Sequence, residues 1–376
     1  MKKIIFVIII MLACNSKIFA NRAIYVDGFE NILGDVTAEN NLLTYAQNNG
    51  IETLLLYGLH VVNSNHDLSN TASNFILADF INKAKTNYGV LDVAAIGENA
   101  NFFANVIDVY NNSRSNPLEK FDTYNLEFEY WSNSATGPGG NYCTTYLIPN
   151  GLPCSVDGAF QHYISTLQAI KTLATYNIHS ITTEAYVGWT AAEHAEIIGS
   201  NLDRLRLHAY VSGPNTAFNY SENRLIDFAN GTPGLDVSII FSSEPNFMQS
   251  WLINNSIDAA ENIYTTDYIN ASSGWANNIN LEGFTYFAYT YNTSITLSTD
   301  SQLAYKELNI YPNPVQNMLN VENFKDLKNI RIYSSIGQLV METKGDKIDF
   351  SNLSKGIYIL QLYTDKDILT KKIMKK

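Results

Sequence analysis

From residue 22 onward, short runs of apolar, β-branched and aromatic residues alternate with stretches whose apolar residues recur every three or four positions. The short runs read as strands: RAIYVDGF (22–29), ETLLLYG (52–58), VLDVAAIG (90–97), TYNLEFEYW (123–131), SITTEAYV (180–187), RLRLHAYV (204–211), DVSIIFS (236–242) and GFTYFAYTY (283–291). Between them, TAENNLLTYAQNNG (37–50) reads as a helix capped by Thr37 and stopped by Gly50, and FILADFINKAKTNYG (75–89) as one ended by Gly89. Eight strands separated by helices over about 280 residues predict an α/β fold, a (β/α)8 barrel. A doubly wound open sheet also alternates strand and helix, but it brings a Gly-rich phosphate turn, which is not found here.

Beyond residue 302 the texture changes to strands and turn residues with no helical period, which predicts a small C-terminal all-β sandwich. The expected organisation is a leader over 1–20, a barrel over 21–300 and the β domain over 301–376. The leader MKKIIFVIIIMLACNSKIFA has two lysines, an apolar run and a small residue at Ala20, the layout of a cleaved secretory signal. Its run is too short for a membrane span, and no later stretch is long and apolar enough for one. The mature chain is expected to be soluble and exported through the periplasm. Cys14, in MLAC, leaves lipidation as the alternative. Cys143 and Cys154 bracket YCTTYLIPNGLPC, and in an exported chain this spacing predicts a disulfide, with two free buried thiols as the other outcome. No His or third Cys lies nearby in sequence to make a metal site.

Charge divides unevenly. Residues 21–302 carry 9 Lys and Arg against 28 Asp and Glu, a net of −19, whereas residues 303–376 carry 12 against 8. An acidic main domain excludes nucleic acid as a partner, because its phosphates need cations. A neutral or polar ligand fits better.

The C-terminal segments LNIYPNPVQNMLNV, IRIYSSIGQLV and FSNLSKGIYILQLYTDKDILTKKIMKK closely resemble the type A sorting domain of cargo of the Bacteroidetes type IX secretion system. The resemblance covers nearly all of 303–376, including YPNP (Tyr311 to Pro314), GQLV, GIYIL and the lysine-rich end. It implies a small β-sandwich that addresses the chain to the type IX machinery, hence a secreted or outer-surface location.

In a (β/α)8 barrel the working residues project from the C-terminal strand ends and the loops that follow. The stretch FDTYNLEFEYW (121–131) therefore stands out. Side chains alternate with period two, so Asn125, Glu127 and Glu129 share one face while Leu126, Phe128 and Tyr130 share the other. If the apolar set packs on the helices, the polar set points into the barrel, with Glu129 outermost. Here Asp122-Thr-Tyr-Asn125-Leu-Glu127-Phe-Glu129 resembles the strand 4 signature D-x-x-D-x-D-x-E of glycoside hydrolase family 18, the chitinases and endo-β-N-acetylglucosaminidases. Asn125 and Glu127 stand where that family has aspartates. LDVAAIGE lies where it has an S-x-G-G-like turn, with Ala95 and Glu98 as departures, and LHAY puts Tyr210 where it has a tyrosine. The resemblance implies substrate-assisted hydrolysis of N-acetylglucosamine-containing glycans. In it Glu129 is the general acid/base, Glu127 orients the 2-acetamido group, and Tyr210 holds that group from the other side.

Two other readings stay open: a barrel that keeps the sugar cleft without turnover, and a retaining glycosidase pairing Glu129 with Glu244 of IIFSSEPNF. Asp122, Trp131, Tyr186, Glu184, Glu244 and Tyr286 are candidates to bind substrate, with rings at Tyr130, Trp189 and Tyr289 also near strand ends. Glu184 and Asp27 can hydrogen-bond sugar hydroxyls or be satisfied structural carboxylates, and His208 shares a face with Tyr210. No phosphate loop, H-x-x-x-H or G-x-S-x-G motif occurs, so no cofactor and no metal are expected.

Overall fold

The computed structural model describes residues 21–271, 274–292, 309–322, 327–334, 339–363 and 368–376. The expected leader and Cys14 lie outside them. The chain forms two compact units, Met1–Ile295 and Thr296–Lys376.

In the first unit eight parallel strands close into a barrel in sequential order. They are β1 Asn21–Val26, β2 Thr53–Leu56, β3 Asp92–Gly97, β4 Thr123–Leu126, β5 Thr182–Val187, β6 Arg204–His208, β7 Leu235–Ser242 and β8 Ile279–Phe287. Alternation along each strand sorts the residues. Ile24, Val26, Leu54, Leu56, Tyr124, Leu126 and Phe128 pack outward against the helices in one core. Ala23, Tyr25, Leu55, Ala94, Ile96, Tyr186 and Ile240 form a separate cluster within the barrel. Closure depends on Gly283, which pairs with Asn21 and where a Cβ would collide with the Asn21 carbonyl.

The helices follow the apolar spacing. Val36–Asn48 buries Leu42, Leu43 and Ala46, and each leucine removed from water is worth roughly 1.5–3 kcal/mol. Its cap is Asp35 rather than Thr37: the Asp35 carboxylate accepts from the N–H groups of Thr37 (2.9 Å) and Ala38 (3.0 Å). Capping satisfies amides that the first turn leaves open, and a carboxylate also suits the positive end of the helix dipole. Phe75–Asn87 ends before Gly89, which takes the left-handed φ of 77° the stop requires. The longest described helix, Val156–Tyr176, is capped by Ser155 and lays Tyr163, Leu167 and Ile170 on the barrel.

The second unit has two antiparallel sheets. One orders Lys347–Asp349, Met318–Glu322 and Asn309–Tyr311; the other orders Leu339–Thr343, Asn329–Ser334, Gly356–Tyr363 and Ile368–Lys375. Leu319, Val321 and Ile348 of the first meet Ile330, Ile332, Leu360 and Leu362 of the second in one core, the expected sandwich. GIYIL lies on the strand Gly356–Tyr363, whereas GQLV falls partly outside the described residues.

Candidate active site

The β3–β4 ladder ends at Gly97 opposite Leu126. One further bond, from the Glu127 N–H to the Gly97 carbonyl (3.0 Å), carries the direction on by a residue. Glu127 and Glu129 thus stand beyond the strand, at the C-terminal end of the barrel, and not on its last rungs. Phe128, between them, is buried outward against the Tyr142 ring (4.2 Å between centroids), which fixes its acidic neighbours on the inward side.

Beneath the pair lies a layer of ions. Arg206, 1% exposed, donates from Nε to Glu184 Oε2 (2.6 Å) and from Nη2 to Oε1 (2.8 Å). Arg204 also pairs with Glu184, and with Asp92 (3.4 Å) and Glu282 (2.7 Å). The Asn125 amide donates to Glu184 Oε2 (3.0 Å). Burial alone would push Glu184 up, but the two arginines reverse this and hold it below the ordinary carboxylate range.

The mouth is different. Burial pushes the Glu127 carboxyl up to about 8, with the charges of Glu129 and Glu98 adding to the shift. The Tyr25 hydroxyl is close enough to favour the carboxylate, yet neither it nor the buried Glu127 Oε2 has a hydrogen bond of good geometry. Glu129 is raised by burial and drawn back by the Tyr186 hydroxyl, which donates to its Oε1 at 3.4 Å. Tyr186 also lies 3.3 Å from His208 Nδ1, and Tyr220 lies 3.3 Å from Nε2. Burial and the Arg224 charge lower His208 to about 3, so it is neutral. One tautomer satisfies all three contacts: Tyr220 donates to Nε2, Nδ1–H donates to Tyr186, and Tyr186 donates to Glu129.

The wall beside Glu98 comes from the loop after β4. Tyr146 donates to Glu98, Tyr142 packs beside it at 5.9 Å, and the Cys143–Cys154 disulfide closes the segment. Burial and the charges of Glu127, Glu98 and Glu129 raise Tyr57 to about 12, which puts that ring in the same mouth. Tyr210 lies beside Glu127, Glu244 and Glu129. Trp131 is 5.5 Å from Tyr186 and rests against Gly188, where a Cβ would come within 2.6 Å of its ring.

The expected site residues are therefore not all together. Glu127, Glu129, Tyr210, Tyr186 and Trp131 share the mouth. Glu244 neighbours Tyr210 and is held by the Ser242 hydroxyl (2.9 Å). Asn125 and Glu184 are buried in the ionic layer below, so the structural alternative for Glu184 fits better than sugar contact. Asp122 is misplaced as a binding residue: it precedes β4 at the opposite end of the barrel, against Lys85 (2.6 Å) and His179 (3.0 Å). Tyr286 points outward and donates to Glu261 (3.0 Å), on the helix side of β8. Asp27 accepts from the Thr290 N–H (3.0 Å), a structural tie. Tyr130 is buried against Phe160 and Tyr163, Tyr289 packs on Tyr45, and half-exposed Trp189 lies beside Tyr220 under the Arg224 guanidinium. Tyr25, Tyr57, Tyr142, Tyr146 and the Arg204/Arg206 pair were not anticipated. The alternation RLRLHAY was the available signal, since it puts two arginines, His208 and Tyr210 on one inward face.

Among solved structures, the chain is similar to a β-glucuronidase of Bacteroides uniformis (9% identity, TM-score 0.40), with 90% of this chain and 43% of that one covered. It is similar to a putative β-galactosidase of Bacteroides fragilis (11%, 0.38; 94% and 54%) and to a family 18 chitinase of Crocus vernus (12%, 0.40; 76% and 97%). The chain thus spans about half the length of the two bacterial proteins. A comparison with curated proteins finds no match. Residues 309–376 match the secretion system C-terminal sorting domain. The chain carries a type IX sorting domain after a (β/α)8 barrel, and it is a secreted or outer-surface protein.

Proposed function

We propose that the barrel is a glycoside hydrolase acting on N-acetylglucosamine-containing glycans by substrate-assisted retaining hydrolysis. The observation that carries this reading is the pair Glu127 and Glu129, standing in an aromatic-lined mouth with both carboxyls raised by burial. Glu129, outermost and hydrogen-bonded to Tyr186, donates its proton to the glycosidic oxygen as the C–O bond breaks. The substrate's acetamido oxygen attacks the anomeric carbon, and the resulting oxazoline is opened by water that Glu129 deprotonates. Glu127 orients the acetamide, and Tyr210 holds it from the side. The two acids interact, so they titrate as a pair. The Glu127 carboxyl loses its proton as pH rises through about 8, and hydrolysis is expected to decline on that alkaline side.

Glu129→Gln is expected to lower kcat on a chitobiose-core or chitooligosaccharide substrate by about 10²–10⁴-fold with binding retained. Equal hydrolysis by variant and wild type would remove Glu129 from its role. Binding by both without turnover supports the glycan-binding alternative. Tyr210, which neighbours both Glu129 and Glu244, favours a two-carboxylate mechanism as second reading. In that case Glu244→Gln abolishes turnover as completely as Glu129→Gln.

A further inference from the structure

The buried hydroxyl of Tyr186 sits where three polar side chains meet. Glu129 Oε1 lies 3.4 Å away and His208 Nδ1 3.3 Å away, and the Tyr210 hydroxyl is also a neighbour. A hydroxyl has one proton to give and two lone pairs that accept, so the direction of its proton depends on which neighbours donate to it. His208 ends β6 and is buried, its ring held by Tyr210 (4.7 Å between centroids) and Trp189 (5.7 Å). Its far nitrogen, Nε2, faces the Tyr220 hydroxyl on the helix Ala217–Gly231. Arg224, on the same helix, stacks on both Tyr220 and Trp189 (4.9 Å each). An imidazolium would face that cation, so the ring stays neutral and only one of its nitrogens carries a proton.

The two tautomers have opposite consequences for the acid. With Tyr220 donating to Nε2, the ring proton is on Nδ1 and goes to Tyr186, whose own proton is then given to Glu129 Oε1. With the tautomer reversed, the bare Nδ1 takes the Tyr186 proton, and a lone pair of that hydroxyl faces Glu129 instead. Glu129 would then donate its acid proton to Tyr186 and not to a substrate. We infer that His208 is a positioning residue for hydrolysis: its Nδ1–H turns the Tyr186 proton onto Glu129 Oε1, which leaves the acid proton of Glu129 on Oε2, free for the glycosidic oxygen. This rests on the hydrolase reading for the use of that proton, and on the chain Tyr220, His208, Tyr186 and Glu129 for its place.

The place of the proton is read by infrared spectroscopy on the full chain without substrate, at about pH 4.5, where Glu129, raised by burial, holds its proton and His208 is neutral. The difference between each protein and its Glu129→Gln counterpart isolates the Glu129 C=O band. His208→Phe removes the Nδ1–H donor, so the C=O loses the Tyr186 proton and its band is expected to move to higher wavenumber. His208→Asn, whose amide N–H stands near the Nδ1 position, restores the band in part. In parallel, kcat on a chitooligosaccharide is expected to fall about 10-fold in His208→Phe with KM unchanged, the loss that one hydrogen bond supplies. In a Tyr186→Phe background, where no hydroxyl is left to orient, His208→Phe costs nothing further; a merely structural role would cost the same in both backgrounds. Should His208→Phe not fold, Tyr220→Phe, at the half-buried end of the chain of contacts, releases the tautomer and moves the band the same way by less. An unmoved band, or a loss of kcat that adds to that of Tyr186→Phe, overturns the inference. The hydrolase reading fails separately: a band that moves as described, with no turnover by wild type, leaves His208 placing the proton without catalysis. Turnover by wild type with an unmoved band does the reverse.

Discussion

The lower barrel and the mouth place carboxylates on the same inward faces but treat them in opposite ways. Glu184 is fully buried and ionised because Arg206 and Arg204 clasp it. Glu127, one layer up, meets burial with no ion-pair partner among the described residues and holds its proton to about 8. Burial alone does not decide a carboxylate's state; the presence of a guanidinium does. The paired layer gives a rigid floor, and the unpaired layer gives a group able to exchange a proton near neutrality.

The contrast can be broken most strongly from below. Arg206→Met leaves Arg204 as the remaining cation on Glu184, and breaking a buried pair costs up to about 3–5 kcal/mol. Urea unfolding is expected to show a loss of that order, with Arg206→Met/Glu184→Met recovering most of it. A single-variant loss under 1 kcal/mol would mean the layer is not the floor described. Next comes the wall: Cys143→Ser/Cys154→Ser opens the short loop that carries Tyr146 to Glu98, with an expected loss of about 2–3 kcal/mol by thermal unfolding. Last, and opposite in sign, Glu127→Gln should stabilise the fold at pH 8. The sign follows from the raised pKa. Below about 4.5 the carboxyl is protonated in both folded and unfolded chains. As pH rises from there to about 8 the unfolded chain ionises first, so wild type loses stability that the glutamine variant keeps. A gap between the two proteins that does not vary with pH would contradict this.

Much of this was legible in the sequence. Eight short apolar and aromatic runs, spaced by helices, predict a barrel, and parity along the fourth put Glu127 and Glu129 inward while Leu126 and Phe128 went to the helices. Strand ends were less legible. TYNLEFEYW reads as strand to Trp131, but β4 stops at Leu126 because β3 gives out at Gly97. Asp122 matched a spacing, yet spacing along one strand says nothing of the Lys85 and His179 that claim it at the barrel's other end. Tyr286 was placed by proximity to a strand end alone; its parity with Phe284 sends it outward. The ionic layer required knowing that Glu184 lies opposite Arg204 on the adjacent strand, with Arg206 two residues further along, information that resides in the barrel's stagger.

The central claim is that Glu127 keeps a proton at neutral pH inside an acidic mouth where, among the described residues, no ion pair reaches it. The most direct measurement is a pH titration of its carboxyl by infrared or ¹³C NMR, as the difference between wild type and Glu127→Gln. The account predicts a transition near pH 8. A carboxyl that titrates at its ordinary value, near 4.5, would contradict it.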